Sequence, residues 1–238
     1  MSLVVTVFVP SGIVMAADSR MTLTYQEKRK EDDKEYVVEH QIVISDNARK
    51  VGIAEAVSVG ISAFGASIID DEPVGFHIRK FRESSVVKGD SVESVAHKLV
   101  DYFRQFPDVS MGFHVCGFLR EDEESIPYVY FCHTVQEPVP KRWNADENGN
   151  VKYGLIRSGD THVIDRLVSA NSLPLFSAML LPDAVDYATY LVRTTIETLR
   201  FEPKFPSVGG NIDVLVITPQ RIRFIQRKQL RGGREQEV

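Results

Sequence analysis

The chain has 238 residues, of which 43% are hydrophobic and 26% are charged, and its formal net charge is -5 at pH 7. This composition is typical of an ordinary globular protein, and the length favours one domain with a sizeable core over two. The negative net charge, with no lysine and arginine cluster interleaved with aromatic residues, argues against a nucleic-acid partner. No secretory signal pattern is present, and no apolar run approaches the roughly 20 residues that span a bilayer. We therefore expect a cytoplasmic protein that does not associate with membranes.

The N-terminal residues predict a β-hairpin whose second strand runs into polar residues. Residues 3–9 are apolar and largely β-branched, Pro10-Ser11-Gly12 provides turn chemistry, and an apolar run resumes at Ile13. Asp18 then stands where the hydrophobic run would otherwise continue. From this run alone, a carboxylate that merely caps a turn is the simpler interpretation.

Residues 26–39 carry dense charge of both signs, so no apolar face can form there. We interpret this insertion as a solvated loop or a protruding hairpin tip, because mixed-sign charge runs are usually exposed. An arm that docks a partner is the functional alternative. Strand patterns follow at 41–44, 51–53 and 57–63.

Helical periodicity appears after this first group of strands. A first helix is predicted between 68 and 81, although Pro73 and the acidic residues before it should interrupt it. The clearest helix covers 90–106, where Asp90 and Glu93 have the spacing of a capping box and apolar residues recur every third or fourth position. Its apolar face must pack on a sheet.

The rest of the chain alternates between strands and helices. Strands are predicted at 111–119, 128–135 and 151–156, with polar loops or turns at 120–125, 138–150 and 157–160. Helices are predicted at 161–170 and 182–199, and a final hairpin at 212–217 and 222–225. We expect one domain over residues 1–227 and a frayed polar tail at 228–238. This order predicts an α+β fold, a four-layer αββα sandwich of two antiparallel sheets between helix layers.

Several chemistries lack support in the sequence. The six histidines show no pair at metal-binding spacing on one predicted face, and each is interpreted as an ordinary core or surface residue. Cys116 and Cys132 lie in separate apolar runs, which predicts buried free thiols. Neither a Gly-x-Ser-x-Gly nucleophile elbow nor a phosphate-binding loop is present. We therefore expect no metal and no cofactor.

The run from Gly12 to Arg20 resembles the second strand of proteasome β-type subunits and of the related bacterial ATP-dependent peptidase. That strand has a glycine and apolar residues followed by Ala-Ala-Asp-Ser-Arg. Further segments occur in the family's order and approximate spacing: Arg49-Lys50-Val51, residues 60–66, Ser158-Gly159, and Gly209-Gly210 with the four residues that follow. Together these segments span nearly the whole chain. The resemblance implies an N-terminal nucleophile (Ntn) hydrolase fold with the same αββα layers.

Members of this family cleave amide bonds with an N-terminal threonine, serine or cysteine whose own α-amino group is the general base. Such an amine titrates at about 7.7 to 8.0, so a useful fraction is neutral at physiological pH. The resemblance places the nucleophile at Ser2, which removal of Met1 would expose. It places Asp18 and Lys50 beside Ser2, the backbone N–H of Phe64 as oxyanion donor, and Ser158 in the hydrogen-bond network. We expect the Asp18 and Lys50 side chains to lie within about 6 Å of each other.

One segment departs from the family pattern. Proteasome β subunits have Asp-x-x-Ser directly before the glycine pair, whereas this chain has Phe205 at the aspartate position and Val208 at the serine position. Shifting the alignment by one residue recovers Ser207 but places Lys204 at the acidic position. Two functions therefore stay open, a peptidase with an N-terminal serine and a non-catalytic relative that acts as an oligomeric structural protein. The resemblance implies a homo-oligomer, with a ring as one form, and a peptide or amide substrate, but it identifies no ATPase partner.

Overall fold

A computed structural model of the chain describes residues 2–31, 34–121, 124–168 and 173–228. In chain order, the described elements are β1 (Leu3–Val9), β2 (Gly12–Ala17), β3 (Met21–Glu31), β4 (Lys34–Ser45), β5 (Val51–Ala54), β6 (Val59–Gly65), β7 (Ile68–Ile69), β8 (Glu72–Pro73), α1 (Val74–Ser84), α2 (Val92–Phe103), β9 (Met111–Glu121), β10 (Glu124–His133), β11 (Glu137–Arg142), β12 (Gly154–Gly159), α3 (His162–Leu167), α4 (Leu181–Leu199), β13 (Asp213–Ile217) and β14 (Ile222–Gln226). Two short 3-10 helices cover Glu55–Val57 and Phe176–Ala178.

Two five-stranded antiparallel sheets dominate the described structure. The first has the strand order β12-β1-β2-β13-β14, and the second has the order β11-β10-β9-β6-β5. The remaining strands form two separate pairs, β3 with β4 and β7 with β8. The protein is therefore an α+β fold with several antiparallel sheets and few helices.

Strand β1 shows how the sequence positions these layers. All seven of its residues are buried, and successive side chains point to opposite faces of the sheet. One face, which includes Leu3 and Val5, belongs to an apolar cluster that also contains Leu191 of α4. The other face, which includes Val4, belongs to a cluster shared with Cys116 of the second sheet. Because both faces are covered, β1 is apolar throughout, with Thr6 as the exception.

The second sheet is covered on its outer side by α1 and α2. Their buried residues form one cluster with side chains of β6, β9 and β10. The predicted helix at 90–106 is confirmed as α2, but its N-cap is Ser91, whose hydroxyl accepts a hydrogen bond from Ser94 N at 3.1 Å. Asp90 instead accepts hydrogen bonds from Lys98 Nζ at 2.8 Å. The helix α1 begins only at Val74, because Pro73 precedes it as the predicted interruption.

Of the two interpretations of the charged insertion, a loop or a protruding hairpin, the structure agrees with the hairpin, which β3 and β4 form. Two other predictions about loops and turns were wrong. The predicted loop at 138–150 contains β11, an edge strand, where prolines are tolerated since one side of the strand carries no ladder. The predicted turn at 157–160 is largely strand, because Arg157, Ser158 and Gly159 pair with β1.

The C-terminal end of the described chain also differs from the prediction. Lys228, assigned to the frayed tail, is only 8% exposed. Its Nζ lies 3.0 Å from Asp213 Oδ2 and 3.0 Å from Ser19 Oγ, and its backbone N–H donates to Asp213 Oδ1. The rest of the predicted tail, residues 229–238, lies outside the described residues, as do residues 32–33 and 122–123. Within the described ranges, no helix is both long and apolar enough to cross a membrane.

Candidate functional site

The polar end of β2 is built around the carboxylate of Asp18, whose side chain is fully buried. Its Oδ1 accepts hydrogen bonds from Leu3 N at 2.9 Å and from Lys50 Nζ at 2.6 Å. Its Oδ2 accepts from Arg20 N at 3.1 Å and from Gly209 N at 3.0 Å. A buried charge needs such partners because it has lost its hydration. Asp18 therefore joins four separate segments of the chain, which a carboxylate that caps one turn would not do.

Lys50 immediately precedes β5, and its side chain is 4% exposed. The expectation that it contacts Asp18 is confirmed by the 2.6 Å distance between Nζ and Oδ1. Burial lowers the pKa of Lys50, and the negative charge and hydrogen bond of Asp18 oppose that change. The Lys50 carbonyl accepts a hydrogen bond from Ala63 N at 2.8 Å, so the lysine is held through its backbone as well.

Ser2 lies directly before β1 and is 5% exposed. Its carbonyl accepts a hydrogen bond from Asp160 N at 2.7 Å. Gly159 has φ +95° at this point, and an added Cβ would collide with the Ser2 carbonyl oxygen. Ser2 and Lys50 both line a cleft of about 550 Å³. The strand pairing thus fixes the Ser2 backbone at the wall of a cavity large enough for part of a peptide.

The glycine pair Gly209-Gly210 lies next to Asp18, since Gly209 N donates to its carboxylate. Arg20 donates to both carboxylate oxygens of Asp46, at 2.7 and 3.0 Å, and to Pro206 O at 3.1 Å. An added Cβ on Gly209 would collide with the Arg20 guanidinium, and Gly210 adopts φ +76° against the backbone of Asp46. Two residues of the Ala-Ala-Asp-Ser-Arg run, Asp18 and Arg20, thus contact the glycine pair directly.

The Ser158 side chain forms a hydrogen bond with His114, which is buried between the two sheets. Its hydroxyl lies 3.0 Å from His114 Nε2, and His114 Nδ1 lies 2.9 Å from Thr6 Oγ1. Burial lowers the pKa of His114 to about 3, so this imidazole is neutral and has one donor and one acceptor nitrogen for its two partners. Ser158 is opposite Val4 in the ladder, which places it on the same face as Ser2, two residues earlier on the neighbouring strand.

Asp160 is a residue that the sequence analysis missed as part of this site. Its backbone N–H binds Ser2, and its carboxylate accepts a hydrogen bond from the fully buried hydroxyl of Ser207. His162 Nδ1 lies 2.6 Å from the same carboxylate. Burial opposes ionisation of Asp160, but the hydrogen bonds from Ser207 and His162 outweigh it and lower the pKa of Asp160. The carboxylate absent from residues 204–208 is thus supplied to Ser207 by a different segment.

Phe64 lies on β6 opposite Gly112 of β9. Its ring occupies the space where an added Cβ on Gly112 would be, and it packs against the rings of His114 and Phe131 at 6.0 and 6.2 Å between centroids. Phe64 follows Ala63, a cleft residue whose amide is bonded to Lys50. The ring is therefore a packing group, and the role that the resemblance implies for Phe64 is one for its backbone N–H.

Other reactive groups are not assembled into a site. Among the residues that the structure describes, no group of three or more histidine, cysteine, aspartate and glutamate side chains could hold a metal ion. Cys116 and Cys132 are buried free thiols, as predicted. Burial raises the pKa of Cys132 to about 12 and that of Cys116 further, so neither forms the reactive thiolate at neutral pH.

Comparison with known proteins relates this chain to others by structure. No protein-family model and no curated protein sequence matches it. Among solved structures, the chain is similar to an Anbu (Gly-1) mutant from Hyphomicrobium sp. strain MC1, with a TM-score of 0.57 and 15% sequence identity over 96% of this chain and 86% of that chain. Anbu is a proteasome-like protein of the Ntn-hydrolase family. At this identity, the similarity establishes a relation of fold alone.

Proposed function

We propose that this protein is a proteasome-like Ntn hydrolase that cleaves peptide or other amide bonds with Ser2 as its nucleophile. The observation that carries the proposal is the arrangement around Asp18. A single buried carboxylate oxygen binds both the ammonium of Lys50 and the amide of Leu3, the residue after Ser2. Lys50 and Ser2 line the same cleft. A lysine and a serine that line one cavity support a serine nucleophile assisted by Lys50.

The chemistry assigns a distinct task to each group. After removal of Met1, the α-amino group of Ser2 takes the proton of its own hydroxyl, and the oxygen attacks the substrate carbonyl. The positive charge of Lys50 favours the deprotonated hydroxyl, and Asp18 holds that charge in place. The carbonyl oxygen becomes negative in the intermediate and takes a hydrogen bond from the backbone at Phe64. The amine then donates the proton to the leaving group, and water releases the acyl group from Ser2.

Asp160 and Ser207 complete the proposed site as positioning residues, and Ser158 supports them from β12, two residues before Asp160. The Asp160 backbone fixes the Ser2 carbonyl, and its carboxylate is fixed in turn by Ser207. Such supporting contacts matter because a displacement of about 1 Å costs on the order of 100-fold in rate. The Ser158 hydroxyl acts indirectly, since its hydrogen-bond partner is His114, in the core between the two sheets.

A reagent that reacts with both a hydroxyl and a free α-amine of one residue tests this proposal. A peptide epoxyketone forms a stable ring only with a residue that offers both a hydroxyl and a free α-amine, so the adduct identifies an N-terminal nucleophile. We expect labelling of the wild-type protein and none of Ser2→Ala. Ser11→Ala is the matched control, because Ser11 is exposed in the turn before β2 and should leave labelling unchanged.

A non-catalytic proteasome-like subunit is the second candidate function, and one observation favours it. Phe205 and Val208 stand where the family has an aspartate and a serine. In this alternative, the network around Asp18 only stabilises the fold, and the epoxyketone leaves the native protein unlabelled.

We also propose that the domain is a four-layer αββα sandwich that forms a homo-oligomer. The separate apolar clusters under α1 and α2, under α4, and between the sheets support the layer order. The β3–β4 hairpin supports the assembly, because one face carries exposed Leu23, Tyr25 and Ile42 in pairing register. An isolated two-stranded hairpin is only marginally stable in water, so a second copy that covers this face would stabilise it. Light scattering that finds only monomer at micromolar concentrations would contradict the assembly.

A further inference from the structure

The cleft that Ser2 lines is surrounded by charged side chains of unequal burial. Four arginines from three parts of the chain line it: Arg49, Arg79, Arg82 and Arg227. The acidic residues of its wall are Glu55, Glu72 and Glu83. All three glutamates are exposed, whereas Arg82 is partly buried. Burial strengthens electrostatic interactions, so the sign of the deeper charge has the greater influence on a bound group.

Arg82 is the one partly buried arginine of this group, and its guanidinium has a donor without an acceptor. It lies on α1, with 27% of its side chain exposed, and its Nε is a buried donor with no hydrogen-bond partner. The nearest carboxylate is that of Glu55, whose Oε1 is 3.7 Å from Arg82 Nη2 and whose side chain is 82% exposed. Burial lowers the pKa of Arg82, and the charges of Arg49 and Arg227 act in the same direction. A buried donor without an acceptor destabilises the protein, and an acceptor on a bound ligand would remove that cost.

One wall of the cleft is formed by β5 at Gly52. The position of an added Cβ on Gly52 would be 3.5 Å from Arg82 Nη1, an ordinary contact distance. The guanidinium therefore lies beside the bare backbone of this strand. Ile78, on α1 one turn before Arg82, lies at 3.8 Å from the same position and provides an apolar wall.

We propose that Arg82 is a specificity-determining residue and that the cleft binds a carboxylate of the substrate, namely an aspartate or glutamate side chain of a peptide. This inference rests on the proposed function, since it names the substrate class for the cleft that contains Ser2. Arginine suits the task because its planar fork forms two parallel hydrogen bonds with a carboxylate. Arg49 and Arg227 add positive potential at the exposed rim.

The structural alternative is that Arg82 only forms an ion pair with Glu55. An exposed pair at this distance contributes little to stability, and it leaves Nε unpaired. The two interpretations predict different results when a ligand carries either a carboxylate or the isosteric amide.

The test measures binding separately from hydrolysis. Fluorescein-labelled tetrapeptide amides that end in glutamate or glutamine are titrated against Ser2→Ala protein, so that no cleavage disturbs the equilibrium. We expect the glutamate peptide to bind at least about 10-fold more tightly, the discrimination of one charge-assisted hydrogen bond. In an Arg82→Gln background the two peptides should bind within about 2-fold of each other, and Arg82→Lys should retain part of the preference.

Arg193→Gln is the matched control, because Arg193 is an exposed arginine on α4 and is not part of the cleft. It should leave the preference intact. Equal affinity for the two peptides, no binding of the glutamate peptide at millimolar concentration, or a preference that survives Arg82→Gln would each overturn the inference. If Arg82→Gln does not fold, Arg49→Gln should still reduce the preference about 2- to 3-fold. Epoxyketone labelling reports on the proposed function independently, so failure of either proposal is distinguishable.

Discussion

Replacement of Lys50 by methionine tests the pair that organises the candidate site. Lys50→Met removes the ammonium and keeps most of the stem, so Asp18 retains three backbone donors and loses its counter-charge. Both side chains are buried, at 4% and 0% exposure, and solvent cannot replace the lost partner. Removal of one partner from a buried ion pair costs about 3–5 kcal/mol. The three remaining donors place the expected cost at about 3 kcal/mol, the lower end of that range.

The assay is urea and thermal unfolding of wild type, Lys50→Met, Asp18→Asn and the double variant. For a chain of this size each kcal/mol lowers the melting temperature by about 2–4 °C, so Lys50→Met should melt about 6–12 °C below wild type. The double variant carries no unpaired charge and should be more stable than the sum of the single changes predicts, by at least about 1.5 kcal/mol. If the two changes are additive within about 0.5 kcal/mol, the side chains of Asp18 and Lys50 do not interact in the folded protein, contrary to this prediction.

Two further predictions concern the surroundings of this pair. Gly159→Ala should abolish epoxyketone labelling and destabilise the fold, because the new Cβ collides with the Ser2 carbonyl and the position has φ +95°. The control Gly149→Ala, at φ +85° with open space around it, should keep labelling. Equal labelling of both variants would contradict the placement of Ser2. Because the pKa of His114 is about 3 in the fold and 6.5 ordinarily, the unfolded state binds more protons between these values, so the unfolding free energy should fall as pH falls, by about 1.4 kcal/mol per unit near pH 5. In His114→Gln, the dependence of the unfolding free energy on pH should lose the contribution of one proton. An unchanged dependence would contradict a buried neutral His114.

Patterns within one element were sufficient to predict most of the strands and helices. The hairpin of β1 and β2 followed from apolar runs around a turn, and α2 and α4 from their periodic apolar faces. The failures came where tertiary pairing decides the structure. Residues 157–159 are polar and glycine-containing, so their local pattern indicates a turn, yet their pairing with β1 makes them part of β12. β11 contains two prolines and is a strand only because an edge position tolerates them.

The candidate site likewise depends on contacts between residues that are distant in the sequence. The contact between Asp18 and Lys50 joins residues 32 positions apart, and no local physical signal predicts it, so only the resemblance brought the two together. Asp160 escaped notice because its carboxylate contacts Ser207, 47 residues further along the chain. The sequence showed that residues 204–208 lack an aspartate, but only the folded structure shows which carboxylate Ser207 contacts.

The most direct test of the central claim is the mass of the N-terminal peptide after untagged native protein reacts with the epoxyketone. We expect a peptide that begins at Ser2, lacks Met1 and carries the reagent, because an amide nitrogen has no basic lone pair at neutral pH and cannot activate the hydroxyl. The adduct should be absent from Ser2→Ala. A native peptide that retains Met1, or one that begins at Ser2 and stays unmodified at saturating reagent, would contradict a Ser2 nucleophile and favour the non-catalytic subunit.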